Sequence, residues 1–107
     1  MTFPSRILIF GATGRTGSRL VSAAVSMGVP VAAFVRDATR APAGVQRIHV
    51  GDVHHAEQVA AAVQEGDVVV STLGGSPGQE GVVREGGHHV AIAARTKGVS
   101  RLLGVVG

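Results

Sequence analysis

Apolar positions along this chain follow two patterns that take turns. Short unbroken apolar runs (Ile7 to Phe10, Val31 to Val35, Val68 to Val70) have the continuous character of strands buried on both faces. Between them lie longer stretches whose apolar residues recur three and four apart, the period of a helix with one covered side. The first strand is read as Arg6–Phe10. Residues 15–27 then place Thr16, Leu20, Ala24 and Met27 on one helical face, with Val21 and Val25 beside it. Gly28 suits the C-terminal cap of that helix, and Pro30 prevents continuation. Val31–Val35 is the second strand, and the segment 36–44 is too short and broken for a crossover helix. Gln46–Val50 is a third strand. Ala56, Val59, Ala60 and Val63 mark a second helix ending near Gly66. Asp67–Leu73 is a fourth strand, followed by a glycine-rich loop over 74–80. Residues 81–97 predict a third helix, weakened by Gly86 and Gly87 at roughly 1 kcal/mol each against alanine. Arg101–Val106 closes the chain as a fifth strand.

Strands alternating with helices predict an α/β domain with a parallel sheet, here a single unit over residues 1–107. Right-handed crossovers give a doubly wound, Rossmann-type sheet of order 3-2-1-4-5, with a ligand crevice between strands 1 and 4. The first helix and the 36–45 loop then cover one face, and the helices at 56–65 and 81–97 cover the other. Strands 4 and 5 are left without a helix on the first face. Val68, Val69, Val70, Leu102, Leu103, Val105 and Val106 therefore predict an exposed apolar patch and, with it, dimerisation or another homo-oligomer, poor solubility, or missing C-terminal residues.

Composition narrows the classes. The chain has 107 residues and no cysteine, which removes disulfides, thiol catalysis and Cys-zinc sites. No apolar run approaches a membrane span, and the N-terminus lacks the build of a signal peptide, so a soluble cytoplasmic protein is expected. The pI of 11.1 suggests a nucleic-acid binder but arises from a net charge of only +3. With one lysine and neither tyrosine nor cysteine, almost nothing titrates between histidine and arginine. The arginines are dispersed without aromatic interleaving, so no nucleic-acid partner is expected.

The chemistry concentrates where strand 1 gives way to helix 1. Gly11, Gly14 and Gly17 follow a strand and open a helix in a G-x-x-G-x-x-G spacing, which departs from the dinucleotide fingerprint G-x-G-x-x-G. Gly11 permits a sharp turn, Gly14 lets backbone approach a ligand, and Gly17 allows close helix–strand contact. Unpaired amides and the positive end of the helix dipole favour a pyrophosphate there.

The predicted topology also brings the ends of strands 2, 3 and 4 to this site. Strand 2 ends in Arg36, whose planar donors suit the 2′-phosphate of NADP. Arg40 and Arg15 stand on neighbouring segments able to converge with it. The alternative is an Arg36 that pairs with Asp37 or extends into solvent. Asp37 as a ribose acceptor would instead suit NAD. Asp52, after strand 3, either accepts from an adenine amino group, with Val53 packed on the ring, or favours the start of helix 2. Small residues after strand 4 allow the nicotinamide half of a cofactor to lie across the backbone.

Four ordered pieces resemble the atypical short-chain dehydrogenases/reductases of the NmrA-like group, which includes NADPH-dependent flavin reductase/biliverdin-IXβ reductase. They are Phe10 to Gly17, Val35 to Arg40, Gly51-Asp52-Val53 and Leu73-Gly74, in the family's order and across nearly the whole chain. The resemblance implies that Thr13, Gly14, Arg15 and Thr16 hold the pyrophosphate and that Arg36 and Arg40 hold the 2′-phosphate. It further implies Asp52 and Val53 at adenine, and Leu73 with Gly74 near the nicotinamide ribose. Two departures stand out. Similar proteins continue beyond the fifth strand, so a truncated domain is expected, and the superfamily's Tyr-x-x-x-Lys pair cannot exist without tyrosine.

Flavin reduction tolerates the second departure, because stacking and positioning supply most of the rate and solvent can deliver the proton. His49, His54, His55, His88 and His89 are read as structural or solvated. Adjacent His88 and His89 point about 100° apart on a helix, a poor metal pair. The expected activity is NADPH-dependent hydride transfer to a small-molecule acceptor such as a flavin or quinone. A non-catalytic NAD(P)-sensing regulator and a domain without activity are the alternatives.

Overall fold

The centre of the molecule is the strand Ile7–Phe10 (β1), three of whose four residues are fully buried. A computed structural model describes residues 6–73 and 81–104. β1 lies between Val31–Val35 (β2) and Val68–Ser71 (β4). Arg47–Val50 (β3) flanks β2, and Arg101–Gly104 (β5) flanks β4. All four pairings are parallel, and the order β3-β2-β1-β4-β5 is the expected one. Phe10 stands opposite Phe34 and Ser71, so the carboxyl ends of β1, β2 and β4 finish level with one another.

Alternate residues of these strands feed two cores, as the two-residue period of a strand requires. Leu8, Phe10, Ala32, Phe34 and Val69 pack against Val59 and Ala62 of helix Ala56–Ala62 (α2) and Val90 and Ala93 of helix Gly87–Lys97 (α3). Ile9, Val31, Ala33, Val35 and Val70 pack against Val21 and Ala24 of helix Arg15–Ser26 (α1). Helices on both faces leave all five residues of β2 buried. Among the described residues no helix is long and apolar enough to cross a membrane.

Four local expectations need correction. The buried stripe of α1 is Gly17, Val21 and Ala24, while Thr16 and Met27 are exposed. Contact at Gly17 turns the helix by about one residue from the face its periodicity suggests. The second helix stops at Ala62, because Val63 is already extended (φ −83°, ψ 133°). The third helix opens as a π-helical turn, Val82–Gly86, before continuing as α3. Finally, Val69 and Val70 are buried, with relative exposures of 0% and 5%, Val69 in the cluster with Val90 and Ala93 of α3 and Val70 in the opposite one with Val21 and Ala24 of α1. The bare apolar residues are Leu102 and Leu103 of β5, which are paired with Val69 and Val70 and therefore point to opposite faces. Val105, Val106 and the loop over 74–80 lie outside the described residues.

At the amino end of the sheet, Arg6 forms an ion pair with buried Asp67, Nε to Oδ1 at 2.8 Å and Nη2 to Oδ2 at 3.1 Å. Arg6 Nη2 also donates to the Ala62 carbonyl, and Nη1 reaches His49 Nε2 at 3.2 Å. The Gln64 amide donates to Asp67 Oδ2 at 2.9 Å. Burial, then the positive charge of Arg6, pushes His49 below its ordinary value.

Candidate functional site

The site is built on the turn after β1. Gly11 has φ +84°, and a side chain there would stand 2.5 Å from Thr72 Oγ1 and 3.0 Å from the Thr72 backbone. Only glycine meets both demands. The Gly14 amide donates to the Gly11 carbonyl at 3.1 Å, closing the turn. A side chain on Gly17 would overlap that same carbonyl, so α1 packs directly on the turn. Beneath it, the Thr72 amide donates to Phe10 O at 2.9 Å. The Thr72 hydroxyl lies 2.9 Å from Phe10 O and 3.0 Å from Gly11 O, and donates to this pair of carbonyls.

The Ser18 amide makes the first helical bond, to Gly14 O at 2.9 Å. No side chain caps α1 and no acidic residue stands in its first turn. Among the described residues, the amides of Arg15, Thr16 and Gly17 therefore have no protein partner. They form a cluster of unpartnered donors at the positive end of a helix dipole, the arrangement that holds an anion. Gly14 is exposed, and a Cβ there would meet only Gly11 O, at 3.4 Å, so the space beyond it is open to a ligand.

From this turn a cleft of about 420 Å³ runs across the ends of β2, β3 and β4. At the end of β2 it is lined by Arg36, Asp37 and Arg40, all exposed. Arg36 and Arg40 form no ion pair among the described residues, so the pairing of Arg36 with Asp37 is not the arrangement adopted. Asp37 caps the 3₁₀ turn Ala38–Arg40 instead, its Oδ1 accepting from the Thr39 amide at 3.0 Å and the Thr39 hydroxyl at 2.7 Å. Those bonds, the hydroxyl's foremost, hold the Asp37 carboxyl below the usual carboxylate range.

Asp52 lines the next part of the cleft. Its Oδ1 accepts from the His54 amide at 2.9 Å, which lowers its pKa. The cap of α2 is His55 rather than Asp52, so the local role of this carboxylate is to shape the loop before the helix. Gly51 is closely packed there: a Cβ would stand 2.8 Å from the Phe34 ring and 2.9 Å from Gln58 Oε1, so both side chains would have to shift to admit one. Val53 is held from the other side: His89 Nδ1 lies 2.7 Å from Val53 O, and His54 Nδ1 lies 3.1 Å from Glu85 Oε2. Gly86 in the π-helical turn presses so closely on Val53 and Leu73 that a side chain would come within 2.8 Å of the first and 3.1 Å of the second. Of the two glycines that weaken the helix in sequence, Gly86 thus lets it reach the cleft wall, whereas a side chain at Gly87 would meet nothing within 4 Å.

Of the residues singled out in the sequence, Gly11, Thr13, Gly14, Arg36, Arg40, Asp52, Val53 and Leu73 line this one cleft. Arg15 and Thr16 sit exposed at the helix start, beside the cleft rather than in its wall. Gly74 lies outside the described residues. Phe34, Val35, His54 and Val82 are also in the wall. Strand periodicity marked the first two only as core, and the π-helical turn that brings in Val82 has no sequence signature beyond its glycines. Thr72 was legible as a small strand-end residue, but its bonds to the glycine turn were not.

A pyrophosphate dinucleotide suits these groups: open space beside Gly14, unpartnered amides at the helix start, and two arginines with no ion-pair partner among the described residues. A family profile described as NAD(P)H-binding matches residues 11–107. This chain belongs to the NAD(P)H-binding family. ChuY, an anaerobillin reductase from Escherichia coli O157:H7, superposes with a TM-score of 0.76 at 31% identity, covering 95% of this chain and 50% of ChuY. A 3-diazoavenalumate denitrifying reductase from a Streptomyces species is 38% identical over 92% of this chain and 36% of its own length. Phenylcoumaran benzylic ether reductase TP7 from Nicotiana tabacum is 34% identical over 69% of this chain and 28% of its own. The chain spans half of ChuY and a smaller share of these two reductases.

Proposed function

We propose that this chain is the NADPH-binding part of a reductase that delivers hydride to a planar flavin- or quinone-like acceptor. The observation that carries the reading is the pair of arginines, Arg36 and Arg40, at the end of β2, without ion-pair partners among the described residues and lining the same cleft as the glycine turn. In this reading Thr13, Gly14, Arg15 and Thr16 hold the pyrophosphate, and Arg36 and Arg40 grip the 2′-phosphate by charge-assisted hydrogen bonds. Asp52 and Val53 receive the adenine, and Leu73 with Gly74 supports the nicotinamide ribose. A reduced nicotinamide supplies a hydride when bound. The contribution of the chain is to fix its position. These 107 residues contain no tyrosine for the acid role of a Tyr-Lys pair, and solvent can deliver the accompanying proton.

Calorimetric titration with NADPH and NADH, together with NADPH consumption in the presence of FMN and of a soluble quinone, tests the proposal. Tighter binding of NADPH and consumption with either acceptor are expected. Binding without consumption would leave a nucleotide-sensing module, and absence of binding would overturn the reading altogether.

A further inference from the structure

At the end of β2 the rim that carries Arg36 and Arg40 also carries the Asp37 carboxylate, whose chemistry opposes theirs. A carboxylate at the end of β2 accepts from ribose hydroxyls and repels a 2′-phosphate, favouring the cofactor that lacks the phosphate. Resting on the NADPH reading above, we propose that Thr39 is the positioning residue that sets cofactor preference, by holding Asp37 inside its own turn.

Three observations support this. First, Asp37 Oδ1 accepts two bonds from one residue, the amide of Thr39 at 3.0 Å and its hydroxyl at 2.7 Å. Both bonds are local, and together they fix the orientation of the carboxylate. Second, the same turn places Arg40, whose amide donates to the Asp37 carbonyl at 3.1 Å, so capping the turn and presenting the second arginine are one structural act. Third, Asp37 is exposed and within ion-pair distance of neither Arg36 nor Arg40 among the described residues. With the hydroxyl removed, one of the two bonds is lost and the carboxylate is free to swing. It can then neutralise the arginines or accept from ribose hydroxyls, and both movements shift preference from NADPH towards NADH.

The test is calorimetric titration of the whole chain and its variants with NADPH, NADH and adenosine 2′-monophosphate. Thr39→Val is expected to lower the NADPH-to-NADH affinity ratio roughly tenfold, chiefly by weakening NADPH and adenosine 2′-monophosphate. Thr39→Ser keeps a hydroxyl in place and should retain the wild-type ratio. Asp37→Asn combined with Thr39→Val should recover NADPH affinity, since the side chain set free no longer carries charge. An unchanged ratio in Thr39→Val, equal losses for both cofactors, or a Thr39→Ser variant matching Thr39→Val would overturn the proposal. The wild-type ratio separately reports on the NADPH reading. A wild-type chain with no preference for NADPH defeats that reading and this one together, whereas a clear preference that Thr39→Val leaves intact defeats this one alone.

Discussion

Each end of the parallel sheet carries arginine, aspartate and histidine, and the two ends treat them differently. At the amino end, Arg6 and Asp67 are bonded to each other and to Ala62 O, Gln64 N–H and His49, and Asp67 is 1% exposed. At the carboxyl end, Arg36 and Arg40 are exposed, unpaired with Asp37, and directed to a cleft. The same residue types therefore do opposite work according to what the backbone around them leaves unsatisfied. At the amino end the chain closes on itself, with Arg6 and Asp67 matched to each other. At the carboxyl end the donors of a helix start and of two arginines are left over, which is the condition for holding an anionic ligand.

The largest test of this contrast is Asp67→Ala. It strands the Arg6 guanidinium in a largely buried position and removes the acceptor of the Gln64 amide, and such losses cost about 3–5 kcal/mol. Urea unfolding should show most of the stability gone, and a loss under about 1 kcal/mol would mean that water satisfies the site as well as Asp67 does. Next is Gly17→Ala, which forces a methyl group onto the Gly11 carbonyl. Overpacking of this kind costs about 1–3 kcal/mol, and dinucleotide binding should fall with it because the helix start is pushed away from the turn. Arg36→Ala probes the other half of the contrast. Its unfolding midpoint should stay within the range of about 0.5 kcal/mol typical of exposed positions. Calorimetry should nevertheless show NADPH weakened roughly ten- to a hundredfold and NADH barely affected. Equal losses for both cofactors would remove Arg36 from the 2′-phosphate.

The smallest effect is one of pH. His49 receives the Arg6 guanidinium at Nε2, and burial together with Arg6 lowers its pKa in the folded state. Below the ordinary value of 6.5 the unfolded chain binds a proton that the folded chain resists. Stability is thus complete above about pH 6.5 and declines as pH falls towards the lowered folded value. Asp37 and Asp52, whose folded values are also lowered, contribute only nearer their ordinary 3.8, where protonation removes stability. Urea midpoints at pH 7.5 and 5.5 should differ in the wild type and converge in His49→Gln. Parallel pH profiles for the two proteins would assign the loss to another group.

Sequence periodicity was sufficient wherever one local rule governed the outcome. Continuous apolar runs buried on both faces define β1, β2 and β4, and the alternation of strands with helices leaves one economical strand order. Glycines after a strand define the turn, because only glycine adopts the positive φ of Gly11. Arg36 at the end of β2 followed from the same count of elements.

The remaining features depend on contacts between distant segments, which no local pattern encodes. The face of α1 was decided by Gly17 meeting the Gly11 carbonyl, and the burial of Val70 by the cluster it shares with Val21 and Ala24 of α1. The wall formed by Val53 and Leu73 was decided by Gly86 arriving from the third helix, and the state of Asp37 by the orientation of one hydroxyl two residues away. Backbone conformation and strand burial arise from each residue's own chemistry and its immediate neighbours, so they can be read one segment at a time. Packing offsets and hydrogen-bond partners depend on where other segments come to rest, and only the folded chain settles that.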